Sequence, residues 1–114
     1  MLHKNRRTLD IYKKVGAELR LLKTLLTKVL VDGDAILKQR DIDDLDAAYN
    51  KIGEVCGAAD GYMFKDHPEV SDEYLHVFYG GTNAEPVDDL EKELLDIARE
   101  IAVEITHPKR SDHQ

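Results

Sequence analysis

LDIYKKVGAELRLLKTLLTKVLV, residues 9–31, is the segment from which the architecture of this chain is read most directly. Its apolar residues recur at spacings of four and three, which keeps them on one side of an α-helix. That stripe comprises Val15, Leu19, Leu22, Leu26 and Val29, widened by Leu21, Leu25 and Leu30. The predicted polar side comprises Arg20, Lys23, Thr24, Thr27 and Lys28. A stripe this wide needs more than one neighbour to cover it, so the pattern predicts a helix packed in a bundle.

Two further segments carry the same helical periodicity. Asp41 is predicted to cap a second helix, which ends before His67-Pro68 because the residue before a proline disfavours the helical conformation. Its apolar stripe comprises Ile42, Leu45, Tyr49, Ile52, Cys56, Ala59 and Met63. A last helix is predicted to open at Glu85-Pro86 and to end at His107-Pro108. Its stripe comprises Leu90, Leu94, Ile97, Ile101 and Ile105.

The remaining segments predict only short elements. Residues 35–40 favour a helical turn, and Ser71 favours the start of a short helix that ends at Gly80-Gly81. The alternation of apolar and polar residues that is typical of strands is absent. The sequence therefore predicts one all-α domain over residues 1–114. Its predicted architecture is an antiparallel helical bundle of three long helices plus one or two short helices, with frayed ends at 1–7 and 108–114.

The charges of the chain are divided unevenly. Residues 1–31 carry eight Lys/Arg and two Asp/Glu, a net charge of +6, whereas residues 32–114 carry a net charge of −13. This acidic part favours a protein partner with a basic surface and disfavours nucleic acid, whose phosphates bind Lys and Arg. It also disfavours the alternative that the basic first helix lies on a membrane, because anionic lipids would repel the rest of the chain.

Several classes of protein are disfavoured by the motifs that are missing. Cys56 is the one cysteine, so no intrachain disulfide forms, and its place on an apolar stripe predicts a small buried side chain. No uncharged run approaches membrane-spanning length and no signal peptide is evident, so we expect a cytoplasmic protein. No phosphate-binding loop, H-E-x-x-H or C-x-x-C motif is present. We therefore expect neither enzymatic activity nor a cofactor.

Two segments are predicted to contact a partner. One is the acidic stretch 41–46, which alternatively serves only to complement the dipole of the helix that it opens. The other is the aromatic segment 74–79, because aromatic side chains with polar tips are typical of binding hot spots. The alternative for these aromatic residues is that they close one end of the bundle. The predicted contact residues are Asp41, Asp43, Asp44, Asp72, Tyr74, Phe78 and Tyr79.

Three glycines recur at intervals of four within the second predicted helix. Gly53, Gly57 and Gly61 each cost roughly 1 kcal/mol relative to alanine in a helix. Their alignment predicts a close approach to the backbone, either by another helix of this chain or by a second copy in a homodimer. A further alternative is that the helix ends near Gly57 or Gly61.

A pair of Glu-x-x-His motifs provides the one metal-binding hypothesis. Glu73 with His76 and Glu104 with His107 match the motif that di-iron carboxylate bundles use twice, and such bundles add one Glu from each of two other helices. Glu18 and Glu54 are candidates for those positions. Both histidines lie close to predicted helix ends, which places them poorly for a buried site. The sequence therefore favours a protein without metal, with this site as an alternative.

The run His67-Pro68-Glu69-Val70-Ser71-Asp72, followed by Glu85-Pro86, resembles the nuclease-colicin immunity proteins. Those are small acidic four-helix proteins with a short aromatic third helix. The resemblance covers about a third of the chain and implies an inhibitor that caps a basic toxin, with contacts from Asp72 and Tyr74. The paired tyrosines of that family would fall at Leu75 and His76, so the pattern departs from the family there.

Overall fold

The structure, a computed structural model, describes residues 7–79 and 88–107. All regular secondary structure in these ranges is helical. Helix α1 spans Leu9–Gly33, α2 spans Gln39–Asp66 and α3 spans Asp89–Thr106. A 3₁₀ helix, Asp72–His76, lies between α2 and α3. No strand occurs in these two ranges, so the predicted all-α class is confirmed. The predicted frayed ends lie mostly outside the described residues.

The first two helices begin and end close to the predicted positions. The Thr8 hydroxyl accepts a hydrogen bond from the Ile11 amide at 3.3 Å and so caps α1. Helix α2 begins two residues before Asp41, whose carboxylate accepts a hydrogen bond from the Lys38 amide at 3.2 Å. Asp41 therefore acts from the third helical position rather than as the cap. The helix continues past Gly57 and ends at Asp66, two residues before the proline.

The last helix begins later than its proline suggested. The Asp88 side chain accepts a hydrogen bond from the Glu91 amide at 2.8 Å, and α3 follows from Asp89. A carboxylate cap that satisfies a free amide fixes the first turn there, so the prediction of a start at Glu85-Pro86 is wrong. Pro86 itself and the predicted stop at Gly80-Gly81 lie outside the described residues.

Helix α1 lies between the other helices, but with a different face inward than its leucines predicted. It packs against both α2 and α3, which make at most marginal contact with each other. Its buried residues are Tyr12, Gly16, Ala17, Arg20 and Gly33. Leu22, in the predicted apolar stripe, is 45% exposed, and Leu25, predicted to widen it, is 56% exposed; Val15 and Val29 are exposed as well. The prediction that Arg20 lies on the polar face is wrong, because this side chain is fully buried.

The segment that follows α2 explains which face of α1 is covered. Residues 77–78 pack on α1 beside Gly16, where an added Cβ would lie 2.7 Å from the carbonyl oxygen of Val77. Only glycine admits a backbone this close. The Val77 and Phe78 side chains are fully buried in one cluster with Cys56 and Met63 of α2. The predicted burial of Cys56 is thereby confirmed, and α2 presents its predicted apolar stripe to this core.

Candidate interaction surfaces

Arg20 holds the segment around the 3₁₀ helix in place. Its guanidinium donates two hydrogen bonds to the Glu91 carboxylate, at 2.7 and 3.0 Å, and one to the Val77 carbonyl at 3.2 Å. It also donates to the carbonyl of His76. The His76 carbonyl, at the last residue of the 3₁₀ helix, also accepts a hydrogen bond from the Tyr79 amide at 3.1 Å. Arg20 thus binds both carbonyls at this helix end while pairing with α3. A single buried side chain of α1 thus joins two elements that come later in the chain.

The aromatic segment is therefore rigidly placed, but only part of it faces outward. Phe78 is fully buried, so the structure places this predicted contact residue in the core. Asp72 is exposed, Tyr74 is half-buried and Tyr79 is 40% exposed. Lysines of α1 lie over both tyrosine rings: Lys13 is 5.9 Å from the centroid of Tyr74 and Lys23 is 5.8 Å from that of Tyr79. The ammonium groups of these two lysines therefore cover one face of each tyrosine ring.

The acidic stretch lies at the end of the molecule where α1 leads into α2. Asp43 and Asp44 are exposed, and Asp41 is half-buried by its capping role. Ile36, in the connection between the two helices, is 83% exposed. An apolar side chain this exposed beside several carboxylates distinguishes this end from the rest of the described surface.

The predicted contact residues form two surfaces rather than one. Asp41 lies in the first turn of α2, whereas Asp72 lies beyond its other end. At 1.5 Å per residue the helix separates Asp41 from Asp66 by roughly 38 Å. A standard protein interface buries about 800 Å² on each partner. A single interface of that size is too small to include both ends of α2.

The three glycines of α2 face open space within this chain. An added Cβ at Gly53 or Gly61 would meet no described atom within 4 Å, and one at Gly57 would meet only the hydroxyl of Tyr79, at 3.7 Å. No helix among the described residues packs on this line. The close approach occurs instead at Gly16, which the periodicity did not single out. A second copy of the chain at the glycine line stays a prediction.

A second buried polar cluster joins the start of α1 to the end of α2. Arg7 pairs with Asp66 at 2.6 Å, and the Tyr12 hydroxyl donates a hydrogen bond to the same carboxylate at 2.5 Å. Burial, and then the bond to Asp66, raise the pKa of Tyr12 to about 12. Arg7 was predicted to fray with the terminus, but this ion pair fixes it. The polar groups of this cluster hydrogen-bond to one another, and with Tyr62 and Lys65 they line a cavity of about 320 Å³.

The Glu-x-x-His residues do not converge. Glu73, His76, Glu104 and His107 are all exposed, and no group of three or more His, Cys, Asp or Glu side chains within residues 7–79 and 88–107 is arranged to hold a metal ion. The physical reason is that His76 lies on the 3₁₀ helix and His107 follows the last turn of α3. Neither side chain is buried, so the structure does not bring these four residues together in the interior as the di-metal alternative requires.

The sequence pattern did not predict that polar side chains would be buried in the interior. Arg20, Glu91 and Asp66 are all buried, and Arg20 among them was predicted to lie on a polar face. One signal was present: Gly16 and Ala17 lie one turn before Arg20. Small residues at that spacing create the room in which a long side chain can be buried.

Comparison of the chain with family models, with curated proteins and with solved structures found no match. The similarity to the immunity proteins therefore rests on the quoted motif alone. No helix among the described residues is long and apolar enough to cross a membrane.

Proposed function

We propose that this protein is a non-enzymatic interaction module that binds a basic protein partner through the end formed by residues 31–46. The observation that carries the proposal is an exposed apolar centre within an acidic rim. Ile36 is 83% exposed and Val31 is 70% exposed. The same stretch contains six aspartates and two basic residues, Lys38 and Arg40, so residues 31–46 carry a net charge of −4.

This combination suits binding better than it suits folding. An apolar side chain left in water contributes nothing to the stability of the chain, whereas transfer of it into a partner's pocket is favourable. Interfaces commonly place such a side chain at their centre and charged residues at their rim. The rim would attract a basic partner and accelerate its association, most strongly at low salt.

A direct test uses a fluorescent amphipathic peptide of lysine and leucine as a defined basic probe. We expect binding that weakens as salt rises, and that falls at least tenfold in the variant with Asn at Asp41, Asp43, Asp44 and Asp46. Ile36→Ser should weaken binding at every salt concentration. A matched control replaces Asp96 of α3 by Asn. Equal binding by all four proteins would overturn the proposal.

The same peptide cannot identify the natural partner, so a second experiment captures partners from the native cell with the full chain. The proposal expects captured proteins that are basic and that the four-Asn variant fails to retain. Retention of the same proteins by that variant would contradict it.

The immunity-like alternative uses the other end of the molecule. It is supported by the exposed carboxylate of Asp72 beside the half-buried ring of Tyr74, on a segment that Arg20 holds rigidly. If a captured partner is a nuclease whose binding and inhibition require Asp72 and Tyr74 but not Asp43, this alternative replaces the first. We also propose that α1 and α2 pack antiparallel, which the Arg7–Asp66 ion pair and the short connection between the helices support.

A further inference from the structure

The free side of α1 carries an apolar stripe that the described chain leaves in water. Helix α1 has α2 on one flank, α3 on the other and residues 77–78 behind it. The opposite side presents exposed apolar residues that fall within an arc of about 80° at 3.6 residues per turn. These residues are Ile11, Val15, Leu22, Leu25 and Val29. With Glu18 and Asp32 their spacings alternate strictly between four and three, the pattern of a coiled-coil seam.

The charged residues along this stripe are arranged so that two antiparallel copies of the helix place opposite charges next to each other. Four exposed charged residues, called here the charged flank, lie on one half of the stripe: Glu18 and Asp32 at seam positions, and Lys14 and Lys28 beside them. Within one chain Lys28 also pairs with Asp32 at 2.8 Å. The four residues are placed symmetrically about residue 23, and their signs read plus, minus, plus, minus along the helix. When a second α1 runs in the opposite direction across the first, Lys14 faces Asp32 of the second copy. Glu18 then faces Lys28 of the second copy.

The apolar residues agree with the same alignment. Leu22 and Leu25 lie one and two residues from the centre on opposite sides, so Leu22 of one copy comes within one residue of the level of Leu25 in the other. Lys23, at the centre itself, does not create a repulsion because its ammonium group is turned away from the stripe and lies over the ring of Tyr79. A parallel pairing would instead place Lys14 against Lys14 and Glu18 against Glu18, and like charges at close range are unfavourable.

We infer that this protein forms a homodimer in which the two α1 helices cross antiparallel through the stripe around Leu22 and Leu25. The occupant is a second copy because the flank is complementary to itself and not to a uniformly charged partner. The surface differs from the acidic end in the proposed function and from the glycine line of α2. The stripe is roughly 27 Å long, so it forms an interface of modest size. We expect a dissociation constant on the order of micromolar.

Sedimentation velocity over a range of protein concentrations measures this association. The expected result is a monomer–dimer equilibrium that shifts toward monomer as salt rises. Leu22→Asp and Leu25→Asp should each raise the dissociation constant at least tenfold while the helical circular dichroism is unchanged, because both side chains are exposed in the monomer. Gly57→Leu is the matched control and should leave the dimer intact. If Gly57→Leu lost the dimer while Leu22→Asp and Leu25→Asp kept it, the dimer interface would lie at the glycine line and the inference would be overturned.

Charge reversal tests the orientation. A variant with Lys14→Glu and Lys28→Glu carries only negative charge on the flank, and one with Glu18→Lys and Asp32→Lys carries only positive charge. Each alone should be monomeric at concentrations where the natural chain is dimeric, and their equimolar mixture should form a heterodimer. A natural chain that stays monomeric at 100 μM or more, about a hundred times the expected dissociation constant, would overturn the inference. So would a mixture that fails to associate.

Discussion

Replacement of Arg20 tests how much stability the segment around the 3₁₀ helix owes to α1. In Arg20→Met the Glu91 carboxylate, which is 8% exposed, keeps its charge but loses both guanidinium hydrogen bonds. The Val77 carbonyl loses the Arg20 donor as well, whereas the His76 carbonyl keeps its hydrogen bond from the Tyr79 amide. Breaking one side of a buried ion pair costs about 3–5 kcal/mol, so we expect the free energy of unfolding to fall by that amount.

The double variant Arg20→Met, Glu91→Met separates the ion pair from the carbonyls. With both charges gone, the loss should shrink to about 1–3 kcal/mol, the cost of a buried acceptor, the Val77 carbonyl, without its donor. Urea denaturation followed by circular dichroism at 222 nm measures each value. Arg99→Met on α3 is the control, since this arginine is exposed and its replacement should change stability by less than about 0.5 kcal/mol. A loss below about 1 kcal/mol in Arg20→Met would refute the reasoning, because it would make Arg20 a surface residue.

Further predictions concern glycine positions and a tyrosine. Gly16→Ala should destabilise the fold by about 1–3 kcal/mol, because its Cβ would lie 2.7 Å from the Val77 carbonyl oxygen. Gly61→Ala should instead stabilise it by about 0.5–1 kcal/mol, since no described atom lies nearby. For Tyr12 the folded pKa of about 12 exceeds the ordinary value of 10.0, so its contribution is complete below pH 10. That contribution should fall by at most about 3 kcal/mol as pH rises from 10 to 12.

Matched measurements check these expectations. The two alanine variants are compared in the same urea titration, and a loss of stability in Gly61→Ala equal to that in Gly16→Ala would contradict the packing described here. For the tyrosine, the stability difference between the natural chain and Tyr12→Phe is measured from pH 8 to 12. A difference that stays constant over that range would show that Tyr12 ionises in the folded state as it does in the unfolded chain.

The positions of the helices followed from the sequence because they depend on local signals. Pro68 fixes the end of α2, and the periodicity of Ile42 to Met63 correctly gives its inward face. Helix α1 shows the limit of this reasoning, since leucines cover much of its circumference and more than one face qualifies as apolar. The face that turns inward is selected by Gly16, which admits the backbone of Val77, and by Arg20, which binds carbonyls from a segment more than fifty residues later. Periodicity contains no information about such long-range contacts.

The candidate surfaces were predictable to the extent that charge determines them. The acidic stretch was evident from composition, whereas the exposure of Ile36 depends on how the connection between α1 and α2 folds. Phe78 was misplaced because aromatic content does not distinguish a side chain that anchors a segment from one that faces a partner. The glycine line was visible in the sequence, but its surroundings are a property of the tertiary structure.

The most direct test of this account is hydroxyl-radical footprinting of the natural chain at two protein concentrations, one well below and one well above that of dimer formation. The account predicts that Leu22 and Leu25 are oxidised in the dilute sample and protected in the concentrated one. Tyr12 and Met63, which are buried, should be protected in both. Protection of Leu22 and Leu25 in the dilute sample would contradict the account, because it would place the leucine stripe inside the monomer.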